Sequence, residues 1–188
     1  MYGFDISHHD KKIDYKDFCD RFDFVLIRAT HGTQKDDLYM THYNQTLSLK
    51  QGFYAYTYAS KPETAKAECR AFCAAVKPCK AELGYWLDVE DKRQKNLKDK
   101  EAITNLVNAW LDEAAKQGVE VGLYSNRKWL TKYLIPEKLH TTKLWLAEWT
   151  DDINQLVKVR EEYKPDIIQF MNASKLLNKD KVDKDIIF

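Results

Sequence analysis

Short β-rich runs recur along this chain every few tens of residues, and that rhythm limits the folds open to it. The runs are Tyr2–Ile6, Phe24–Ala29, Gly52–Tyr58, Leu83–Val89, Val119–Tyr124, Lys143–Ala147, Ile167–Phe170 and, weakly, Asp185–Phe188. Helical periodicity fills several of the gaps. Ile103, Leu106, Val107, Trp110, Leu111 and Ala114 follow the i, i+3, i+4, i+7, i+8, i+11 pattern, and Gly118 supplies the stop. A second helix is predicted over about Pro62 to Val76 and a third over about Leu38 to Lys50. Strands alternating with helices imply parallel βαβ units. Only about twenty residues separate Ala147 from Ile167, so the last strands are expected to lack full helices. The predicted fold is therefore an α/β, TIM-like barrel, incomplete and irregular. Asp91–Lys100 and Asn178–Lys184 read as solvated loops.

Within that frame the segment Leu87-Asp88-Val89-Glu90 stands out, because it ends an apolar run with two carboxylates two positions apart. Residues i and i+2 of a strand share a face, roughly 6.5–7 Å apart. Crowding two acids on a buried strand costs stability. It suits chemistry in which one acid holds a proton near neutral pH and the other stays charged, as acid catalysis on a glycosidic bond requires. In a parallel barrel, functional residues collect at the carboxyl ends of the strands. Asp5, Asp88, Glu90, Trp145 to Trp149, Gln169 and Asp183 all fall at or near such ends.

Composition narrows the classes. The chain has 188 residues, enough for one domain spanning 1–188 with a sizeable core. Thirty Lys and Arg nearly cancel 29 Asp and Glu, so bulk charge gives no footing for nucleic acid. No apolar run approaches the roughly 18–20 residues that span a bilayer. No secretory leader is visible, since Tyr2-Gly3-Phe4-Asp5-Ile6-Ser7 already reads as a strand. Cys69 and Cys73 are i,i+4 on a helix, too far apart for an unstrained disulfide, so free buried thiols are expected. No His-Glu-x-x-His pattern, Gly-rich phosphate loop or Gly-x-Ser-x-Gly elbow occurs, and neither metal nor cofactor is expected.

Taken in order, the motifs resemble glycoside hydrolase family 25, the lysozymes or N-acetylmuramidases. They are Asp5-Ile6-Ser7, Ile13-Asp14-Tyr15, Phe24 to Gly32 with Asp36, Gly52-Phe53-Tyr54-Ala55-Tyr56, Leu87-Asp88-Val89-Glu90, Gly122-Leu123-Tyr124-Ser125, Leu144-Trp145-Leu146-Ala147, Ile168-Gln169-Phe170 and Val182-Asp183. Two positions depart from the family pattern: Asp10 stands where glutamine is usual, and His31 where glutamate is usual. The resemblance implies a flattened barrel of about eight strands and five helices. It further implies retaining hydrolysis of the β-1,4 bond between N-acetylmuramic acid and N-acetylglucosamine in peptidoglycan. Glu90 would be the proton donor and Asp88 its partner, with Asp5 and Asp183 lining the same pocket.

Tyr56, Tyr58, Tyr124, Trp145 and Trp149 occupy strand ends suited to stacking on sugars, and Gln169 could bond an acetamido or hydroxyl group. The ordinary fate of such side chains is barrel packing, and that alternative stays open. A monomer acting outside the cell on the bacterial wall is expected, reached by a removed leader or by endolysin-type release. A silent peptidoglycan-binding module, a chitinase and a glucosaminidase remain the alternatives.

Overall fold

A computed structural model describes residues 1–171 and 182–188. Eight strands close into a barrel: β1 (Tyr2–Ile6), β2 (Phe24–His31), β4 (Lys50–Tyr56), β5 (Tyr85–Asp88), β6 (Val121–Asn126), β7 (Leu144–Ala147), β8 (Ile167–Met171) and β9 (Asp183–Ile186). The short β3 (Gln34–Lys35) folds back on the end of β2 as a hairpin. Neighbours from β1 to β8 run parallel, whereas β9 is antiparallel to both β8 and β1. The predicted α/β barrel is thus present, with its last strand reversed.

Alternation along each strand sorts the core into two layers. Phe4, Ile6, Val25, Ile27, Phe53, Leu87, Leu123, Leu146 and Ile168 point outward and are covered by helices. Phe24, Leu26, Tyr54, Trp86, Tyr124, Trp145 and Ile167 point inward and fill the lumen. The inner layer is bulky, and glycines on neighbouring strands make room for it. A Cβ on Gly122 would lie 2.4 Å from the Trp86 ring, and one on Gly3 would lie 2.3 Å from that of Phe24. Rings therefore plug the barrel from below, and polar residues collect at its carboxyl-end mouth.

Seven helices surround the barrel among the described residues: α1 (Tyr15–Arg21), α2 (Tyr39–Gln45), α3 (Pro62–Val76), α4 (Lys92–Lys95), α5 (Lys100–Lys116), α6 (Arg127–Lys132) and α7 (Ile153–Tyr163). Of the three helices read from the sequence, α3 and α5 are the long ones, while the one expected over about Leu38 to Lys50 is only the seven-residue α2. Those not foreseen bury little: α1 hides only Phe18, and α7 only Leu156 and Val159. Their apolar stripes are too narrow to show as a period in the sequence. The 11-residue α7 fills the connection before β8 that was expected to have no full helix.

Other boundaries shift as well. Lys50, expected at a helix end, opens β4, and that strand ends at Tyr56 rather than Tyr58. Asp91–Lys100 is no simple solvated loop. Asp91 caps α4, and buried Gln94 donates to the carbonyls of Thr57 and Ala59 at 3.1 and 3.0 Å. Of the predicted loop Asn178–Lys184, residues 178–181 lie outside the described residues, while Val182 and Lys184 are buried. All four cysteines are free, with the Cys69 and Cys73 sulfurs 3.9 Å apart.

The lumen packing has a direct test. Replacing Gly122 with Ala should destabilise the chain by about 1–3 kcal/mol, because Trp86 is boxed in and the new methyl overpacks it. Urea unfolding measures this, and an unchanged midpoint would contradict the close approach.

Candidate active site

Register brings one row of side chains across four strands. Tyr56 on β4 pairs with Asp88 on β5, Asp88 with Tyr124 on β6, and Tyr124 with Trp145 on β7. The opposite wall comes from the chain's two ends, since Asp5 on β1 pairs with Asp183 on β9. Because β9 runs in reverse, its first residue lies level with the carboxyl ends of the others. These side chains, with Glu90, Gln169, Tyr54, Arg28, Ser7, His9 and Asp10, line a cavity of about 350 Å³. A larger cavity of about 920 Å³ lies beside the start of β7, lined largely by apolar residues such as Leu130, Leu134 and Leu139. It contains none of the converging aspartates, so the smaller cavity is the candidate site.

Glu90 stands beyond the end of β5, yet the chain there stays tethered. The Val89 amide donates to the Tyr124 carbonyl at 3.1 Å, and the Ser125 hydroxyl to the Val89 carbonyl at 2.8 Å. Val89 is held buried on the outer face, so Asp88 and Glu90 both face the cavity. Asn126 caps α6 by accepting from the Trp129 amide at 3.1 Å, which leaves its NH2 to donate to Glu90 Oε2 at 3.3 Å. Burial pushes the Glu90 carboxyl up from its ordinary value, opposed by that hydrogen bond and by Lys95.

Asp88 lies deeper. Burial raises it well above the ordinary carboxylate range, Glu90 raises it further, and Arg28 opposes both. Its Oδ1 is buried with no hydrogen-bond partner among the described residues. A buried carboxylate oxygen without a donor is costly and marks a place where a ligand donor would fit.

The opposite wall is also acidic. Asp5 is raised by burial and then by Asp185 and Asp183, while Asp183 is pushed up to about 6 by burial, Asp10 and Glu90. Gln169 ties this wall to the aromatic residues. Its Nε2 donates to Asp5 at 2.8 Å and to Asp183 at 3.5 Å, and its Oε1 accepts from Tyr124 at 2.8 Å and from Trp149 at 2.9 Å.

Not every predicted contact residue lines the cavity. Tyr58 lies outside it, packed edge-on against Tyr56 with Arg93 over its ring. Trp149 is 61% exposed at the mouth, its ring steered by the bond to Gln169. Trp145 is fully buried at the floor, where its indole donates to Asp185 at 2.8 Å. Gln169 uses both ends of its amide on protein groups.

Arg28 and Asp185 were not singled out from the sequence, and Asp10 and His31 were noted only as departures from the family pattern. Arg28 was legible as the lone charge in the apolar run Phe24–Ala29. It donates to Asp36 at 2.9 Å, and Asp36 also accepts from the His8 amide at 3.0 Å, locking the loop after β1 to β2. Asp10 accepts from the Ser7 amide at 2.8 Å and so brings a carboxylate to the rim. Asp185 repeats the i,i+2 signal of the Asp88–Glu90 pair, but it was hidden because β9 was expected to begin there. His31 packs against His8 and Tyr58 rather than lining the cavity.

A parallel-stranded barrel with converging carboxylates at its mouth and a polar cleft is the architecture of a glycoside hydrolase. Residues 4–177 match the family described as Glycosyl hydrolases family 25, and the chain belongs to that family. No curated protein matches the sequence. Among solved structures, GHIP, a glycosyl hydrolase 25 of Streptococcus pneumoniae, superposes with a TM-score of 0.80 at 18% identity, covering 100% of this chain and 86% of that one. A muramidase from Trichobolus zukalii gives 0.77 at 21%, covering 100% and 93%. The modular autolysin LytC from Streptococcus pneumoniae gives 0.79 at 20%, and this chain spans only 46% of its length.

The acidic lumen should reveal itself in stability. Asp185 is pushed up to about 8 by burial. An acid whose folded value is raised contributes stability that is complete below its unfolded value and lost as pH climbs through the folded one. The histidines held low by burial are mostly neutral above about pH 7, so they do not mask this. The thermal midpoint should therefore fall between about pH 7 and 9. A midpoint that rises across that interval in calorimetry would count against a protonated lumen.

Proposed function

We propose that this glycoside hydrolase is a muramidase, cutting the β-1,4 bond between N-acetylmuramic acid and N-acetylglucosamine in bacterial peptidoglycan with retention. The observation carrying this reading is the pairing of Glu90, raised and hydrogen-bonded at the mouth, with Asp88, whose buried Oδ1 lacks a donor. Glu90 gives its proton to the bridging oxygen as the C1–O bond breaks. The acetamido oxygen of the same sugar closes on C1 from the other face, while its N–H donates to Asp88. That bond supplies the donor Asp88 lacks and favours its ionised form against the cost of burial. Water then opens the ring, giving its proton back to Glu90, and two inversions restore the configuration.

The aromatic side chains suit a polysaccharide. The exposed Trp149 ring can stack on an apolar sugar face beside the cleft, and Tyr56 flanks the acids. Asp5 and Asp183 complete the pocket. We place the action outside the producing cell, on the wall, by a monomer.

Glu90→Gln should lower wall lysis by roughly 10²–10⁴-fold, the usual worth of general acid catalysis, with an unchanged thermal midpoint. Near-wild-type turbidity loss in that variant would exclude Glu90 as the donor. In the parent enzyme, turnover should decline as pH rises through the elevated Glu90 value, because the donor must be protonated. Reducing-end analysis should find muramic acid. New N-acetylglucosamine ends alone would identify a glucosaminidase, and binding without sugar release would identify a silent module.

A further inference from the structure

Beneath the pocket, the carboxyls of Asp5 and Asp185 meet. Asp185 is two residues beyond Asp183 on β9 and opposite Gly3 on β1 and Gln169 on β8. Gly3 has no side chain to intervene, so Asp185 reaches towards Asp5, two residues along the same face. Asp185 is fully buried. Its Oδ1 accepts from the Trp145 indole at 2.8 Å, and its Oδ2 has no partner among the described residues other than the facing Asp5 carboxyl. Asp5 in turn accepts from Gln169. Asp183 from β9 and Asp10 from the loop after β1 add negative charge beside the pair, and Arg28 from β2 lines the same pocket. Trp145 from β7 and Gln169 from β8 are neutral donors.

Two adjacent buried carboxylates cannot both ionise at modest cost; one shared proton removes the repulsion and fills the empty bond. We infer that Asp185 and Asp5 share one proton in the active enzyme, in an O–H···O bridge that holds the Asp5 carboxyl oriented at the pocket wall. Asp185 is then a positioning residue, the buried half of a carboxyl pair. Burial and the neighbouring charges supply the proton affinity the pair requires.

The inference rests on the muramidase reading only where activity is measured, so one readout uses no substrate. In the full chain labelled at aspartate carboxyl carbons, an NMR titration should show, besides Asp88, a proton held by the Asp5–Asp185 pair at neutral pH, with a change near about 8 that is absent from Asp185→Asn. Asp185→Leu removes one half of the bridge and should lower turnover roughly ten- to hundredfold, the worth of one hydrogen bond to a charged group. Asp185→Asn keeps a donor and an acceptor and should restore turnover to within about threefold of the parent. It should also abolish most of the alkaline fall in thermal midpoint.

Titration of both Asp5 and Asp185 in the ordinary carboxylate range would overturn the inference. So would a folded Asp185→Asn protein as inactive as Glu90→Gln. If Asp185→Leu fails to fold, the titration and the Asn variant still decide. Failure of the parent to cleave peptidoglycan would remove the muramidase reading and leave the titration to judge Asp185.

Discussion

The chemistry of this molecule depends on a lumen too full of rings to admit water from below. Phe24, Leu26, Trp86 and Ile167 occupy the lower barrel, with Tyr54, Tyr124 and Trp145 above them. The carboxyls at the mouth therefore rest on an apolar floor, and low polarity beneath them favours their protonated forms. The same packing fixes their positions, because each sits on a strand whose outward residues are locked under helices. Proton affinity and placement thus arise from one cause.

Much of this was legible in the sequence, for identifiable reasons. Barrel strands announce themselves because both their faces are apolar, and α3 and α5 because each buries a wide stripe. The short helices α1, α4 and α6 left no such mark. They are held by caps and by single anchors such as Phe18 and Gln94 rather than by periodicity. The carboxylates followed from spacing and strand ends. Their supporting contacts did not, since the Asn126 bond to Glu90 and the Gln169 bridge join residues 36 and 164 positions from their partners. Only closure of the barrel reveals them.

The two departures from the family pattern have different consequences. Asp10, at the usual glutamine position, folds back on Ser7 and adds a negative charge that acts on both Asp5 and Asp183. His31, at the usual glutamate position, joins His8 and Tyr58 in a stack of rings beside the cleft. The first alters the electrostatics of the acidic wall; the second alters the shape and charge of its edge.

The reversed strand β9 ties assembly of the acidic pocket to the completion of folding. It seals the seam between the chain's first strand and β8, and it brings Asp183 and Asp185 to meet Asp5. Contacts spanning nearly the whole sequence carry the largest loop-closure cost and cannot form until most of the chain is in hand. A growing or shortened polypeptide lacking those final residues has an open seam and half an acidic wall. Such an intermediate lacks the pocket that Asp5 and Asp183 enclose, whatever the state of Glu90.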